Sequence, residues 1–208
     1  MILSSGRRVV LASNNPGKLR EIKAIFRDLD FELAPQSDFN VPGVAETGDS
    51  FLANALLKAR HAARHCGLPA MADDSGIEVD VLDGAPGIYS ARYAGAGASD
   101  EANVQLLLRN VAATGAQKPA ARFKCAMVYV RSEDDPAPVI AEGSWKGFIV
   151  AEPKGKNGFG YDPVFYVPDH HCTSAQLPPD VKNRISHRAR ALHELCVKLK
   201  ALYPDGDV

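Results

Sequence analysis

The opening of the chain, up to Ala34, commits it to alternating strand and helix. Val9, Val10, Leu11 and Ala12 form a short continuous apolar run, the pattern of a buried strand. Asn15 then stands where a helix cap is wanted, and Pro16 where the first helical residue tolerates a missing N–H. Leu19, Ile22, Phe26 and Leu29 follow at helical spacing and would face a core, and Phe31 to Ala34 reads as a strand again. A strand–helix–strand start points to an α/β fold.

The remainder supports that class. After a polar loop from Pro35 to Gly48, a second helix is expected to begin at Asp49 or Ser50 and to run to about Cys66, stopped by Gly67 and Pro69. Its Phe51, Ala55, Ala59, Ala62 and Ala63 offer a slim apolar face. Pro69 to Ala72 is expected as a buried strand and Ile77 to Leu82 as another, with a tight turn between them. Val104, Leu107, Leu108 and Val111 mark a third helix. Arg122 to Arg131 alternates as a strand, and Val139 to Val150 is consistent with an antiparallel partner carrying Gly143 and Gly147 as kinks. Phe165 to Val167 is a short strand. A last helix from about Ser186 to Leu202 places Ala189, Leu192, Leu195, Cys196, Leu199 and Leu202 on one face. The expected architecture is α/β with a mixed sheet, and 208 residues suffice for one large domain or two small lobes sharing that sheet.

Composition narrows the class of partner. Net charge is −1 with a pI near 6.6, which argues against a nucleic-acid polymer or an anionic membrane surface and leaves room for a small phosphorylated substrate. The apolar run behind Arg7 and Arg8 is too short for a signal peptide or a membrane span. Cys66, Cys125, Cys172 and Cys196 contain no C-x-x-C pair and no disulfide framework, so reduced thiols in a cytoplasmic protein are expected.

Five segments carry candidate chemistry. Ser13, Asn14, Asn15, Pro16, Gly17 and Lys18 sit between a strand and a helix, where backbone N–H groups and the helix dipole favour a phosphate; a well-capped helix start with a chance lysine is the plainer alternative. Asp73 and Asp74 follow an apolar strand directly. Two acids there call for a cation, and a hard, oxygen-seeking Mg²⁺ held with substrate phosphates is the natural one, with Glu46 as a further carboxylate. The same Asp-Ser-Gly stretch also suits a solvated turn. On the second helix Asn54, Lys58, His61 and His65 form one polar stripe, from which Lys58 can reach phosphate or orient water, while the histidines read as solvated. Phe159, Gly160, Tyr161 and Asp162, preceded by Gly158, present an aromatic ring suited to stacking on a base, or else a glycine-rich hairpin turn. Lys182, and then His187 and Arg188 after Ser186, place cationic side chains at the start of the last helix, against its dipole, where donors to a 6-oxopurine would give them a purpose; a helix start with exposed basic residues is the plainer alternative.

Taken together, LASNNPGKLREI (Leu11 to Ile22), ADDSGIEVDVLDGAPGIYSARYAG (Ala72 to Gly95), FGYDPVF (Phe159 to Phe165) and ISHRARAL (Ile185 to Leu192) resemble the Ham1 family, the inosine triphosphate pyrophosphatases, described in bacteria as dITP/XTP pyrophosphatases. The resemblance implies an elongated central mixed β-sheet flanked by helices, with two lobes, an active cleft between them and a homodimer. It assigns Ser13 to Lys18 to the triphosphate and Lys58 to the neighbourhood of the phosphates. Asp74 would be the proton acceptor and, with Glu46, a Mg²⁺ ligand; Asp73 and Ser75 would share that site. Phe159 to Asp162, Lys182, His187 and Arg188 would hold the nucleoside and base.

The implied substrates are ITP, dITP and XTP, cut to monophosphate and pyrophosphate. Donors aimed at O6 would discriminate against ATP. A Maf-type pyrophosphatase acting on pyrimidine or modified nucleotides is the enzymatic alternative, opposed by the FGYDP and SHR segments. A non-catalytic nucleotide sensor is the other, opposed by the paired acids.

Overall fold

A computed structural model describes residues 7–26 and 31–203; the expected core position Leu29 lies outside the described residues. The elements are β1 (Arg7–Leu11), α1 (Pro16–Ile25), β2 (Phe31–Pro35), α2 (Phe51–Cys66), β3 (Ala70–Val79), α3 (Asp100–Ala113), β4 (Ala120–Val130), β5 (Val139–Ile149), β6 (Phe165–Val167), β7 (Cys172–Thr173), α4 (Pro179–Ile185) and α5 (His187–Leu202). One sheet orders them β2-β1-β3-β4-β5-β6-β7. β1 runs parallel to β2 and β3, whereas β6 is antiparallel to both β5 and β7, so the sheet is mixed as expected.

The helices begin where the local chemistry starts them. Asn15 Oδ1 accepts the N–H groups of Gly17 and Lys18, and Pro16 takes the first helical position of α1. Ser50 caps α2 through the N–H of Ala53, and Gly67 ends it in the left-handed conformation at φ 64°. In α1, Ile22 and Phe26 are buried as their spacing predicts, and Leu19 is half-buried.

The chain divides into two compact units. The first comprises Met1–Asp74, Ala126–Glu142 and Arg190–Val208, and the second Ser75–Cys125 and Gly143–Ala189. In the first unit the alanine face of α2 (Ala55, Ala59, Ala62 and Ala63) packs with Val10, Ala12, Ala70, Ala72, Ala126, Val128 and Val130. Methyl-sized side chains let the helix lie close to the strands, and this brings Asn54 and Lys58 on its neighbouring face to the Asp74 carboxylate of β3. The second unit is built on larger groups: Ile77, Val79, Leu107, Phe123, Trp145, Phe165 and Leu177.

Four expectations are corrected. Asp73, Asp74, Ser75 and Gly76 do not form a turn between two strands: β3 runs unbroken through them, and Asp80–Leu82, expected as strand, is a 3-10 turn. The turn chemistry of Asp-Ser-Gly yields because the acids are held by lysines, as described below. Gly147 is not a kink but a close approach, since a Cβ there would lie 2.3 Å from the Tyr166 carbonyl oxygen on β6. Leu202 is 56% exposed although Ala189, Leu192, Leu195 and Leu199 on the same helix are buried. Lys182 belongs to α4, a short helix the periodicity did not reveal, and sits in its last turn where the dipole favours a cation.

Candidate functional site

In the first unit two lysines meet three acids. Lys58 Nζ lies 2.7 Å from Glu46 Oε1 and 2.9 Å from Asp74 Oδ1. Lys18 Nζ lies 3.0 Å from Asp73 Oδ2. Successive side chains on a strand point to opposite faces, so Asp73 and Asp74 meet different lysines, one at the start of α1 and one midway along α2. Asp73 and Asp74 are 1% and 5% exposed, a burial that carboxylates tolerate only with such partners.

The electrostatics follow from burial and pairing. Burial raises the Asp74 carboxyl, and Lys58 and Lys18 only partly offset it. The net upward direction makes Asp74 a stronger proton acceptor than an exposed aspartate. Burial pulls the Lys58 ammonium down, but Asp74, Asp73 and Glu46 together outweigh it and hold the lysine above its ordinary value. Lys58 therefore stays cationic.

Of the acids expected around a metal, the structure groups two. Glu46 and Asp74 share one cationic centre, the Lys58 ammonium, whereas Asp73 is paired with Lys18. Among the described residues no group of three or more His, Cys, Asp or Glu side chains stands together to enclose an ion. Two hard carboxylate oxygens gathered about one positive charge suit Mg²⁺, an ion that proteins commonly hold by one or two carboxylates and that completes its shell with phosphate and water.

The Gly17 and Lys18 N–H groups are already engaged by the Asn15 side chain, and the Asn15 N–H is engaged by Ser13 Oγ. The capped helix start is thus real, and Lys18, the exposed Asn14 and the Ser13 hydroxyl are what the segment offers a phosphate.

The second unit holds the other residues. Asp162 is 2% exposed and accepts from three sides: the Lys182 ammonium, the Ser174 hydroxyl at 2.8 Å and the Phe159 N–H at 2.9 Å. Gly158, at φ 77°, leaves room for it, since a Cβ there would lie 2.0 Å from Asp162 Oδ2. Phe159 is not a bare ring: Lys182 Nζ stands 5.1 Å and the Arg188 guanidinium 5.6 Å from its centroid. Arg188 also donates to Ser75 Oγ at 2.8 Å, and the His187 ring stacks on Phe123 at 4.7 Å and 11°.

Tyr161 departs from the expectation of a ligand contact. It is a core residue, 5% exposed, and its hydroxyl donates to the Ser90 carbonyl, while burial pushes the phenol up. The Gly160 N–H is taken by Asp100 Oδ2 at 2.7 Å. His61 lies within 2.9 Å of the Pro42 carbonyl and His65 is exposed, so neither joins the acids.

Two supporting residues, Asp100 and Ser174, lay outside the expected set and carry no motif, because they act through sequence-distant partners. Asn54 stood in the polar stripe of α2 with no role assigned, and its i,i+4 spacing to Lys58 was the signal.

The Ham1 family profile matches residues 9–198. A dITP/XTP pyrophosphatase of Photobacterium profundum is 52% identical over 193 residues, covering 93% of this chain and 98% of its own length. One from Bordetella parapertussis is 56% identical over 201 residues, covering 95% and 93%. Among solved structures, a HAM1 protein from Coxiella burnetii aligns with a TM-score of 0.87 at 48% identity, covering 94% of this chain and 99% of that one. The Staphylococcus aureus Ham1 protein aligns at 0.83 and 41%, covering 94% and 100%. Since the profile match spans both the lysine–acid cluster and the Asp162–Arg188 cluster, and the fold agrees over almost the whole length, this chain belongs to the Ham1 family.

Proposed function

We propose that this protein is a Mg²⁺-dependent nucleoside triphosphate pyrophosphatase that hydrolyses ITP, dITP and XTP to nucleoside monophosphate and pyrophosphate, removing non-standard purines from the nucleotide pool. The observation that carries this reading is the Lys58 ammonium bracketed by Glu46 and Asp74, in a chain whose relatives are dITP/XTP pyrophosphatases. It acts as a single two-lobed domain, in the cytoplasm and as a homodimer.

The residues divide the work. Lys18 and Lys58, with Ser13 and Asn14, bind and neutralise the triphosphate. Glu46 and Asp74 would hold the divalent ion, which when bound would supply charge neutralisation on the phosphates. Asp74 accepts a proton from a water whose oxygen forms a bond to the α-phosphorus as the bond to the bridging oxygen breaks, and pyrophosphate departs with that electron pair. Asp73 keeps Lys18 in place. Lys182 and Arg188 carry only donors, which complement the O6 acceptor of an oxopurine and mismatch the amino group of adenine. Phe159 offers its ring to the base, with Ser75 and His187 beside Arg188.

The test is pyrophosphate release from ITP, XTP, GTP, ATP and dTTP, with Mg²⁺ and with EDTA. Fast release from ITP and XTP, abolished by EDTA, is expected, with ATP disfavoured by ~10⁴ if donors to O6 set the selectivity. Preference for dTTP, or release unaffected by EDTA, would overturn the reading.

A further inference from the structure

Helix α2 addresses both oxygens of one carboxylate. Lys58 Nζ donates to Asp74 Oδ1 at 2.9 Å, and Asn54 Nδ2 stands 3.4 Å from Asp74 Oδ2. Residues four apart lie one above the other on a helix face, so a single face presents both donors. The other end of the Asn54 amide is committed as well: Oδ1 accepts the Gly48 N–H at 2.8 Å. An oxygen must meet that N–H, so the NH₂ group is turned toward Asp74.

Asn54 is fully buried, at 0% exposure, where an amide is tolerated only with its bonds made. Helix initiation does not explain it, because Ser50 already caps α2 through the Ala53 N–H at 3.2 Å. Gly48 is the matching half of the contact. A Cβ there would lie 2.7 Å from the Ala53 Cβ and 2.8 Å from Asn54 Oδ1, so only glycine brings the loop this close. That loop also carries Glu46, which meets Lys58. Two positions one turn apart thus tie the same loop to the same aspartate: Lys58 joins Glu46 to Asp74, and Asn54 joins Gly48 to Asp74.

We propose that Asn54 is a positioning residue of the hydrolytic centre, holding the Glu46 loop and Asp74 in register so that their two carboxylates converge on one divalent cation. The proposal rests on the reading of Glu46 and Asp74 as the cation's ligands.

The experiment compares the wild type with Asn54→Ala and with Gly48→Ala, which reaches the contact from the loop side and covers the case in which the buried amide is needed for folding. Thermal midpoints establish that the variants are folded. Mn²⁺ binding is followed by electron spin resonance in the presence of a non-hydrolysable α,β-methylene analogue of ITP, and pyrophosphate release from ITP is measured across Mg²⁺ concentrations. The expected result is a loss of ~10–100-fold in Mn²⁺ affinity and in kcat, the scale on which groups orienting metal ligands act, with KM for ITP at saturating Mg²⁺ little changed. Folded variants that bind Mn²⁺ as the wild type does would make Asn54 a packing residue and overturn the proposal. Failure of the wild type to release pyrophosphate from ITP would count against the proposed activity alone, because the Mn²⁺ comparison still decides the role of Asn54.

Discussion

Asp74→Asn keeps the shape of the side chain and removes the charge facing Lys58. Because Lys58 retains Glu46 at 2.7 Å, its ammonium is not stranded and the fold is expected to survive. Turnover should fall by ~10²–10⁴, the range for loss of a general base, while circular dichroism and the thermal midpoint stay near wild type. Turnover close to wild type in the folded variant would remove Asp74 from the mechanism. At this scale the sequence disclosed which residues carry chemistry but not how they pair. Nothing in an adjacent Asp73-Asp74 says that one acid meets a lysine on α1 and the other a lysine on α2. Nor does a glycine-flanked Phe159 reveal that two cations already stand within cation–π range of its ring.

The elements were legible wherever local chemistry and tertiary context agree. Caps at Asn15 and Ser50 and the stop at Gly67 mark α1 and α2 within a residue or two. They were misread at β3, where turn propensity and burial pull in opposite directions and burial prevails. The turn joining β4 to β5 yields a test of pH dependence. There Asp135, 2% exposed, receives the Arg131 guanidinium and the backbone N–H groups of Arg131 and Ala137. The bond from the Arg131 side chain, opposed by burial and aided by the two N–H groups, holds the carboxyl well below its ordinary range. A folded-state value depressed below the unfolded one means that the stabilisation is complete above about pH 4 and is lost as pH falls further toward the folded value. Asp135→Asn should therefore lower the urea midpoint at neutral pH, and the gap to wild type should narrow in strongly acidic solution. A gap that is constant with pH would show that the charge is irrelevant. The carbonyl of Asp135 also accepts from Arg60 on α2 at 3.2 Å, so the same turn helps seat the helix that carries Lys58.

For the whole molecule, the absence of a disulfide framework makes a clear prediction. Cys66, Cys125, Cys172 and Cys196 are all free thiols, so a strong reductant should leave the thermal midpoint unchanged. Burial pushes the Cys196 thiol up to about 11, with Lys200 offsetting it slightly, which leaves little thiolate at pH 8. Native protein treated with a thiol reagent at that pH should modify Cys196 far more slowly than the unfolded chain does, and equal rates would contradict the burial. No helix among the described residues is long and apolar enough to cross a membrane.

What the sequence determined by itself is what neighbouring residues enforce on one another: the strand–helix–strand opening, the caps, the period of α2 and α5, and a set of motifs dense enough to indicate the family. The pairing of charges was decided by the tertiary structure. A buried carboxylate must find a partner, and which lysine reaches it depends on how closely a helix can approach a strand. The alanines of α2 and the missing side chain at Gly48 permit the approach that brings Lys58, Asn54, Glu46 and Asp74 together. That closeness is a property of packing among segments far apart in the chain, and no local pattern encodes it.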